Sequence, residues 1–375
     1  MEYEQSLFIS IFGQIEDPRV ERNKEHVLPD IIGLTICAAI CGADAWTEVE
    51  DFGNAKLEWL RTFLSLKNGI PSHDTIGRVF ALLDPDVFQA CFRQWVQSLQ
   101  GKVEGVVAID GKTVRRSHNH GKSKQAIHLV SAWATDVGIS LGQVKVDDKS
   151  NEITAIPELL QLLHLNGCLV TIDAMGCQKD IAQAVLDKGA DYVLAVKDNQ
   201  KTLREDVEQE FREAQKDSFK HMEHTFYETI EKNHGRIEAR QYWYTHDVQG
   251  LGTLEHWPQL NGMVMCRSTR TVKSTTSVDD RFFITSAAHN DAKKMAESIR
   301  AHWGIENSLH WVLDVAFGED QARIRTNNAD QNMATVRKMV INVIKPDKSR
   351  KGGVKAKRLQ AGWDNTYLKE IIDRM

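Results

Sequence analysis

Asp110, Asp173 and Glu306 are the acidic side chains whose places in the sequence favour metal chemistry. Asp110 closes an unbroken apolar run at 106–109, and Asp173 closes a second, largely apolar run at 168–172. Such runs predict strands that are buried on both faces. A carboxylate at the end of a buried strand is held rigidly at the edge of a sheet, where its oxygen atoms suit a divalent cation.

A third carboxylate is expected from a helix packed beside these strands. Two divalent ions about 3.5–4 Å apart can activate a water or a 3'-hydroxyl and stabilise the leaving oxygen in phosphoryl transfer. Glu306 is the candidate, because His302, Glu306 and His310 are spaced four residues apart and share one helix face. His302 or His310 could contact phosphate, and Asn307 could position the carboxylate. The alternatives for the third carboxylate are Asp314, Glu319 and Asp320.

The elements that must position these side chains begin after a helical stretch at 1–100. The apolar spacing then predicts the order βββαβαβ, with strands at 106–110, 126–134, 139–146, 168–172 and 192–196 and helices at 153–165 and 179–188. This order is the ribonuclease-H-like arrangement, a mixed α/β sheet with helices on both faces. Its first and fourth strands are neighbours, so Asp110 and Asp173 are expected to be adjacent.

The pattern predicts four parts in the chain. Residues 1–100 form an all-helical N-terminal domain, and 103–200 together with 286–345 form the α/β catalytic core. Residues 201–285 form a β-rich insertion, and 346–375 form a basic C-terminal tail. A long helix is expected from Asp291 to Val315, with Trp303 and Trp311 packing it onto the sheet.

Composition places the chain among ordinary globular proteins, with 375 residues of which 42% are hydrophobic and 26% are charged. The net charge of -5 counts against a simple nucleic-acid binder, for which a basic balance is usual. Two basic stretches partly offset it, although a solvated face is the alternative for each. They comprise Lys112, Arg115, Arg116, Lys122 and Lys124, and then Arg337, Lys338, Lys345, Lys348, Arg350, Lys351, Lys355, Lys357 and Arg358.

The cellular location follows from what the sequence lacks. The N-terminus has no basic segment followed by an apolar one, so no secretory signal is expected. The longest apolar segment, 31–43, is shorter than the roughly 18–20 residues of a membrane span. Six cysteines show neither C-x-x-C pairs nor zinc spacing. We therefore expect a reduced, cytoplasmic protein without structural zinc and without a membrane partner.

Six ordered motifs carry a family resemblance across nearly the whole chain. They are A-I-D-G-K-T-V-R at 108–115, K-S-N-E-I at 149–153, T-I-D-A-M-G-C-Q at 171–178, V-K-D-N-Q at 196–200, H-G-R-I-E-x-R at 234–240 and H-W-G-I-E-N-S-L-H-W-V-L-D-V at 302–315. F-G-E-D-Q-A-R-I-R follows at 317–325, and P-S-H-D-T at 71–75 matches the family's N-terminal associated domain. With these motifs the chain resembles a DDE transposase of a bacterial insertion sequence, of the H-repeat-associated (Rhs-associated) type.

The resemblance implies a function and a set of ligands. Asp110, Asp173 and Glu306 would be the catalytic carboxylates and would hold two Mg²⁺ ions, for which Mn²⁺ can substitute. The enzyme would nick double-stranded DNA at the element ends, and the freed 3'-hydroxyl would attack the target DNA without a covalent enzyme intermediate. A homodimer is expected when DNA is bound, and the protein is then associated with the nucleoid.

This sequence departs from the pattern of a wider related group. That group places a Tyr and an Arg before the Glu and a Lys after it, where this chain has Ile299, His302 and Leu313. The helpers of the third carboxylate in that group are therefore not matched in this chain. Residues expected at DNA are Lys112, Arg115, Arg116, Lys197, His234, Arg236, His302, Asn307 and His310.

Several of these assignments have alternatives. Lys197 could equally cap the sheet edge, and His234 and Arg236 could merely form a hairpin turn. For the whole protein, the alternatives are an inactive or domesticated DNA-binding relic and a metal-dependent nuclease of the same fold, which cuts DNA without joining it.

Overall fold

The computed structural model describes residues 7–118, 124–147, 150–233, 235–273, 275–289 and 291–375. The N-terminal region is helical, as predicted. Its helices are α1 (Leu7–Phe12), α2 (Leu28–Ile40), α3 (Trp46–Leu60), α4 (His73–Leu82) and α5 (Pro85–Gln100). Ser72 caps α4, because its hydroxyl accepts a hydrogen bond from the Thr75 N–H, and Asp84 caps α5 in the same way.

One sheet of nine strands forms the centre of the molecule. Its first five strands are β1 (Val106–Thr113), β2 (His128–Ala134), β3 (Ile139–Lys145), β4 (Leu169–Ile172) and β5 (Asp191–Val196), joined by α6 (Glu152–Gln161) and α7 (Lys179–Asp187). β1 pairs antiparallel with β2 and parallel with β4, and β4 pairs parallel with β5. The ribonuclease-H-like mixed sheet is therefore confirmed, with β1 and β4 side by side.

Four further strands extend this sheet and do not form a separate one. After α8 (Lys201–Lys216) come β6 (Thr225–Asn233), β7 (Arg236–Thr245), β8 (Gly262–Val272) and β9 (Thr275–Thr285). The strand order is β3-β2-β1-β4-β5-β9-β8-β7-β6. Pairing of β5 with β9 ends at Val196 and Phe282, and residues 275–281 continue beyond the carboxyl end of β5. Residues 275–281 and the segments paired with them in turn, 266–272, 236–242 and 227–233, are called the arm. At about 3.3 Å per residue, the arm projects about 23 Å past the sheet edge that carries Asp110.

Helix α9 (Ala292–Ile305) packs against the face of the sheet to which Asp110 belongs. Met295, Ala296 and Ile299 of α9 are buried against Val193 of β5 and Tyr242 of β7. The predicted long helix is interrupted after Ile305 by a π-turn, Glu306–His310, before α10 (Trp311–Phe317). The expectation for its tryptophans is wrong, because Trp303 is 54% exposed and Trp311 is 59% exposed.

Helix α11 (Ala329–Ile344) is buried along its whole length between the N-terminal helices and β3. Two of its asparagines bond to backbone groups of these neighbours. Asn332 donates to the carbonyl of Phe80 (2.8 Å), and Asn342 accepts from the N–H of Ser140 (2.8 Å). α11 thereby fixes the helical region against the sheet.

Two helices, α12 (Val354–Trp363) and α13 (Asn365–Ile372), occupy the predicted basic tail. Part of the positive charge of the basic stretch from Arg337 to Arg358 is not available to a ligand, because Arg337, Lys338, Lys357 and Arg358 are buried. Arg358 donates to the carbonyl of Ala39 (2.9 Å) and pairs with Asp44 (2.7 Å). These cations satisfy buried acceptors, which sequence spacing alone cannot reveal. Among the described residues, no helix is long and apolar enough to cross a membrane.

Candidate functional site

Asp110 and Asp173 are brought together by the parallel pairing of β1 and β4. Ile109 lies opposite Ile172, so the two aspartates occupy the next positions in register on neighbouring strands. Asp110 is not the last residue of its strand, since β1 continues to Thr113. Asp173 follows β4 directly, and the N–H groups of Met175 (3.0 Å) and Gly176 (3.4 Å) donate to its Oδ1 atom.

Glu306 and His310 enter the site from the π-turn. The wider π-turn closes on the N–H of Trp311, which donates to the carbonyl of Glu306. Glu306 Oε2 lies 3.0 Å from His310 Nδ1, and Asp110 Oδ2 lies 3.6 Å from the same nitrogen. Asp110, Glu306 and His310 each offer one possible ligand atom, and these three atoms lie within 4.8 Å of one another.

Burial and mutual repulsion characterise this group electrostatically. Burial raises the pKa of Asp110 to about 7, and the charges of Asp173, Glu152 and Glu306 act in the same direction. Burial lowers the pKa of His310 to about 3, assisted by Lys338 and Lys112. His310 is therefore neutral, and its Nδ1–H can donate to Glu306. Its Nε2 atom has no hydrogen-bond partner among the described residues.

Lys112 lies on the same face of β1, two residues after Asp110, but it is enclosed by other carboxylates. Its Nζ atom lies 2.8 Å from Asp314, 3.2 Å from Asp320 and 3.8 Å from Glu319, and its side chain is only 11% exposed. The three alternatives for the third carboxylate are thus already paired with a lysine. Lys112 is largely enclosed by these partners, and its predicted contact with DNA phosphate stays a prediction.

The other predicted DNA contacts fall into two groups. Arg115, Arg116 and Lys197 are exposed, with Arg115 also pairing with Asp320 at 3.2 Å, and Asn307 is exposed on the π-turn. The other predicted DNA contacts are less exposed or lie on the arm. His302 is partly buried beside Thr171 (3.2 Å), and burial lowers its pKa.

Arg236 begins β7 at the tip of the projecting arm, where it pairs with Glu238 at 3.2 Å. The register of Asn233 with Arg236 confirms the hairpin predicted there. His234, Lys122 and Lys149 lie outside the described residues.

Glu152 and His128 form a pair at the site that the sequence analysis did not assign. Glu152 Oε1 lies 2.6 Å from His128 Nε2, and His128 Nδ1 lies 2.7 Å from the Thr113 hydroxyl. A Cβ atom at Gly111 would lie 2.1 Å from Glu152 Oε1, so a larger residue here would displace the Glu152–His128 pair. The K-S-N-E-I motif was the available signal, since Glu152 is its acidic residue.

Comparison with known proteins identifies the family. The Transposase DDE domain matches residues 101–343, and the DDE_Tnp_1-associated family matches residues 9–96. A proposed transposase of Escherichia coli O157:H7 called YncI is 45% identical over 363 residues, covering 96% of this chain and 92% of that protein. An H repeat-associated proposed transposase of E. coli K12, YhhI, is 40% identical over 365 residues, covering 96% and 95%.

A solved structure shows a weak likeness to the chain. The cryo-EM structure of a piggyBac transposase synaptic complex with hairpin DNA gives a TM-score of 0.44 at 11% identity, over 98% of this chain and 81% of that one. This likeness is too weak to support an argument about residues or ligands. The family matches and relatives cover the arm as well as the acidic site, and the chain belongs to the DDE transposases, of the H-repeat-associated type.

Proposed function

We propose that this transposase cuts DNA at the ends of an insertion sequence and joins the freed 3'-hydroxyl to target DNA, with Asp110, Asp173 and Glu306 as its catalytic carboxylates. One observation carries the proposal. Asp110 and Asp173 occupy the next register positions after paired residues of β1 and β4, and Asp110 and Glu306 both lie within 3.6 Å of His310 Nδ1. No ion pair joins any of the three carboxylates to a lysine or arginine among the described residues.

Their oxygen atoms fit a hard divalent cation such as Mg²⁺, with Mn²⁺ as a substitute. When bound, a pair of such ions would activate the attacking oxygen and stabilise the leaving one. The raised pKa of Asp110 supports this fit, because a nearby cation would offset the repulsion among the carboxylates. Asp110, Asp173 and Glu306 would hold the ions.

The protein's own groups hold these carboxylates in place. Backbone N–H groups orient Asp173, and the Gly111 N–H donates to Asp110 Oδ1 at 2.9 Å. Neutral His310 orients Glu306 through its Nδ1–H, which assigns it a positioning role. We infer that it takes the part played by other side chains in the wider related group.

Double-stranded DNA is the proposed partner, at both the element ends and the target. Arg115, Arg116 and Lys197 are exposed cations near the carboxylates, and His302 and Asn307 flank Glu306. Trp303 offers an exposed indole on the same helix. Since phosphate contacts depend on local positive charge, these cations would compensate for the net charge of -5. We propose a homodimer when DNA is bound, in the bacterial cytoplasm at the nucleoid.

The domains follow from this assignment. Residues 103–200 and 286–345 would act as the catalytic core, and 201–285 as an insertion that reaches along the DNA. Residues 1–100 and 346–375 would support the core, and the exposed lysines at 348, 351 and 355 are the part of the tail that remains available to phosphate.

The test is cleavage and joining on a labelled duplex that carries a flanking element end, with Mg²⁺ or Mn²⁺. Wild-type protein should nick and join, and Asp110→Ala, Asp173→Ala and Glu306→Ala should each abolish both steps. Cutting without joining would indicate the nuclease. Binding without chemistry under both metals would indicate the relic. Full activity of Glu306→Ala would assign the third ligand to Asp314 or Glu319.

A further inference from the structure

Strand β6 is the exposed edge of the nine-stranded sheet. It lies last in the strand order and pairs with β7 on one side only. Its free side therefore presents backbone N–H and C=O groups that can pair with another strand. The opposite edge differs, because β3 is buried and its polar groups bond to α11.

The side chains of β6 alternate between two unlike faces. Tyr227, Thr229 and Glu231 point towards α9, where Glu231 pairs with Arg300 at 2.8 Å. Glu228, Ile230 and Lys232 point the other way and are exposed. The edge is thus supported by a helix on one face and open on the other.

An apolar row crosses the open face of the arm. Ile230 lies opposite Ala239 on β7, which lies opposite Thr269 on β8 and then Val278 on β9. Ile230 is 62% exposed and Val278 is 59% exposed. Ile230 lies on the edge strand itself, so pairing of β6 with another strand would remove part of its apolar surface from water.

We propose that β6 pairs antiparallel with β6 of a second copy of this chain, with Ile230 opposite the partner's Ile230. A two-fold axis through this pair is the usual symmetry of a homodimer. It places Glu228 opposite the partner's Lys232, and Lys232 opposite the partner's Glu228. The pairing joins the two sheets into one continuous sheet.

Charge selects this register over its neighbours. Shifting the axis to residue 229 sets Glu228 against the partner's Ile230, and shifting it to residue 231 sets Glu231 against its own copy. Charges directly opposite each other across strands stabilise when their signs differ and destabilise when they match. An edge of a single sign would repel a second copy, whereas Glu228 and Lys232 lie symmetrically about Ile230 with opposite signs.

Sedimentation-equilibrium measurements on the full chain without DNA test this interface. Wild-type protein should be a dimer. Glu228→Lys and Lys232→Glu each place two pairs of like charges across the interface, so each should weaken dimerisation by about tenfold or more. The double variant Glu228→Lys/Lys232→Glu exchanges the two signs and should restore the dimer.

A matched control keeps the result specific to the edge. Asp279→Lys makes the same charge change on β9, three strands inward, and should leave the dimer unchanged. Circular dichroism melting curves would verify that all variants fold. A wild-type monomer, or a dimer that resists both single reversals, would overturn the proposal. Because no DNA is present, the outcome is independent of whether the proposed cleavage reaction occurs.

Discussion

Two acidic clusters lie on either side of the junction between the π-turn and α10, and they differ in whether a cation pairs with them. Asp110 lies on β1, Asp173 follows β4 and Glu306 lies on the π-turn, whereas the other set lies on α10 and in the turn after it. Asp314, Glu319 and Asp320 surround Lys112, and Arg337 also approaches Glu319 at 3.3 Å. Asp110, Asp173 and Glu306 form no ion pair with a lysine or arginine among the described residues, and neutral His310 lies beside Asp110 and Glu306. The cluster around Lys112 is neutralised by the protein itself. The cluster with Asp110 has a charge deficit that a bound cation can fill.

The comparison teaches how to choose among carboxylates that look equivalent in the sequence. A buried carboxylate must be paired, protonated or bound to a metal. Asp314 meets the first condition through Lys112. Asp110 has no lysine or arginine partner in the described chain, and it is only partly protonated at neutral pH because its pKa is about 7. The location of the cations, more than that of the acids, separates the proposed metal-binding cluster from the internally paired one.

The largest expected effect is on catalysis. Glu306→Gln should lower the rate of strand cleavage by about a thousandfold, because it removes a metal-binding charge. Asp314→Asn removes the same charge a short distance along the helix and should change the rate by less than about tenfold. Single-turnover nicking of a labelled element end measures both rates. Equal losses in the two variants would erase the distinction between the clusters.

Removing the internal cation should have the next largest effect. Lys112→Met leaves three carboxylates without their lysine, so the free energy of unfolding should fall by about 3 kcal/mol. Urea denaturation followed by circular dichroism measures this loss. Lys197→Met is the matched control, since Lys197 is exposed and no ion pair is found for it in the described chain. An unchanged midpoint for Lys112→Met would show that its cluster is not neutralised in the way inferred.

In the metal-free protein, ionisation of Asp110 should lower the free energy of unfolding as the pH rises. The folded state raises the pKa of Asp110 from 3.8 to about 7, so it holds a proton that the unfolded chain releases. The stability that this bound proton contributes is complete below about pH 4 and is lost as the pH rises through 7. Asp110→Asn should therefore gain about 2 kcal/mol relative to wild type between about pH 5 and pH 8, after discounting for partial exposure.

Urea denaturation in EDTA at those two pH values measures this gain. Stability curves for wild type and Asp110→Asn that run parallel across the range would contradict the inferred repulsion.

Metal binding should give the smallest effect. Mg²⁺ or Mn²⁺ at ten times its dissociation constant should stabilise wild-type protein by about 1.4 kcal/mol. The Asp110→Asn/Glu306→Gln variant should show a smaller shift, whereas Asp314→Asn should respond like wild type. Thermal melting with and without the ion measures the shift. A response that depends on Asp314 and not on Asp110 would place the ion in the other cluster.

The secondary structure of the core was largely predictable from the sequence. Apolar runs located β1, β4 and β5, and their order predicted that β1 and β4 are neighbours. The β-rich insertion was predicted only as a region, and its residues 275–281 are exposed and, apart from Val278, polar, so they give no apolar alternation. Their strand conformation depends on pairing with β8, a long-range contact that local pattern cannot report.

For the site, the sequence by itself determined which residue types are present and which strands and helices carry them. Only the tertiary structure decided that Lys112 neutralises Asp314 and leaves Asp110 without a cation, that Lys357 and Arg358 are buried, and that Trp303 is exposed. The reason is physical. Periodicity records how apolar residues face a core, whereas the partner of a charge is set by the approach of segments about 200 residues apart in the chain.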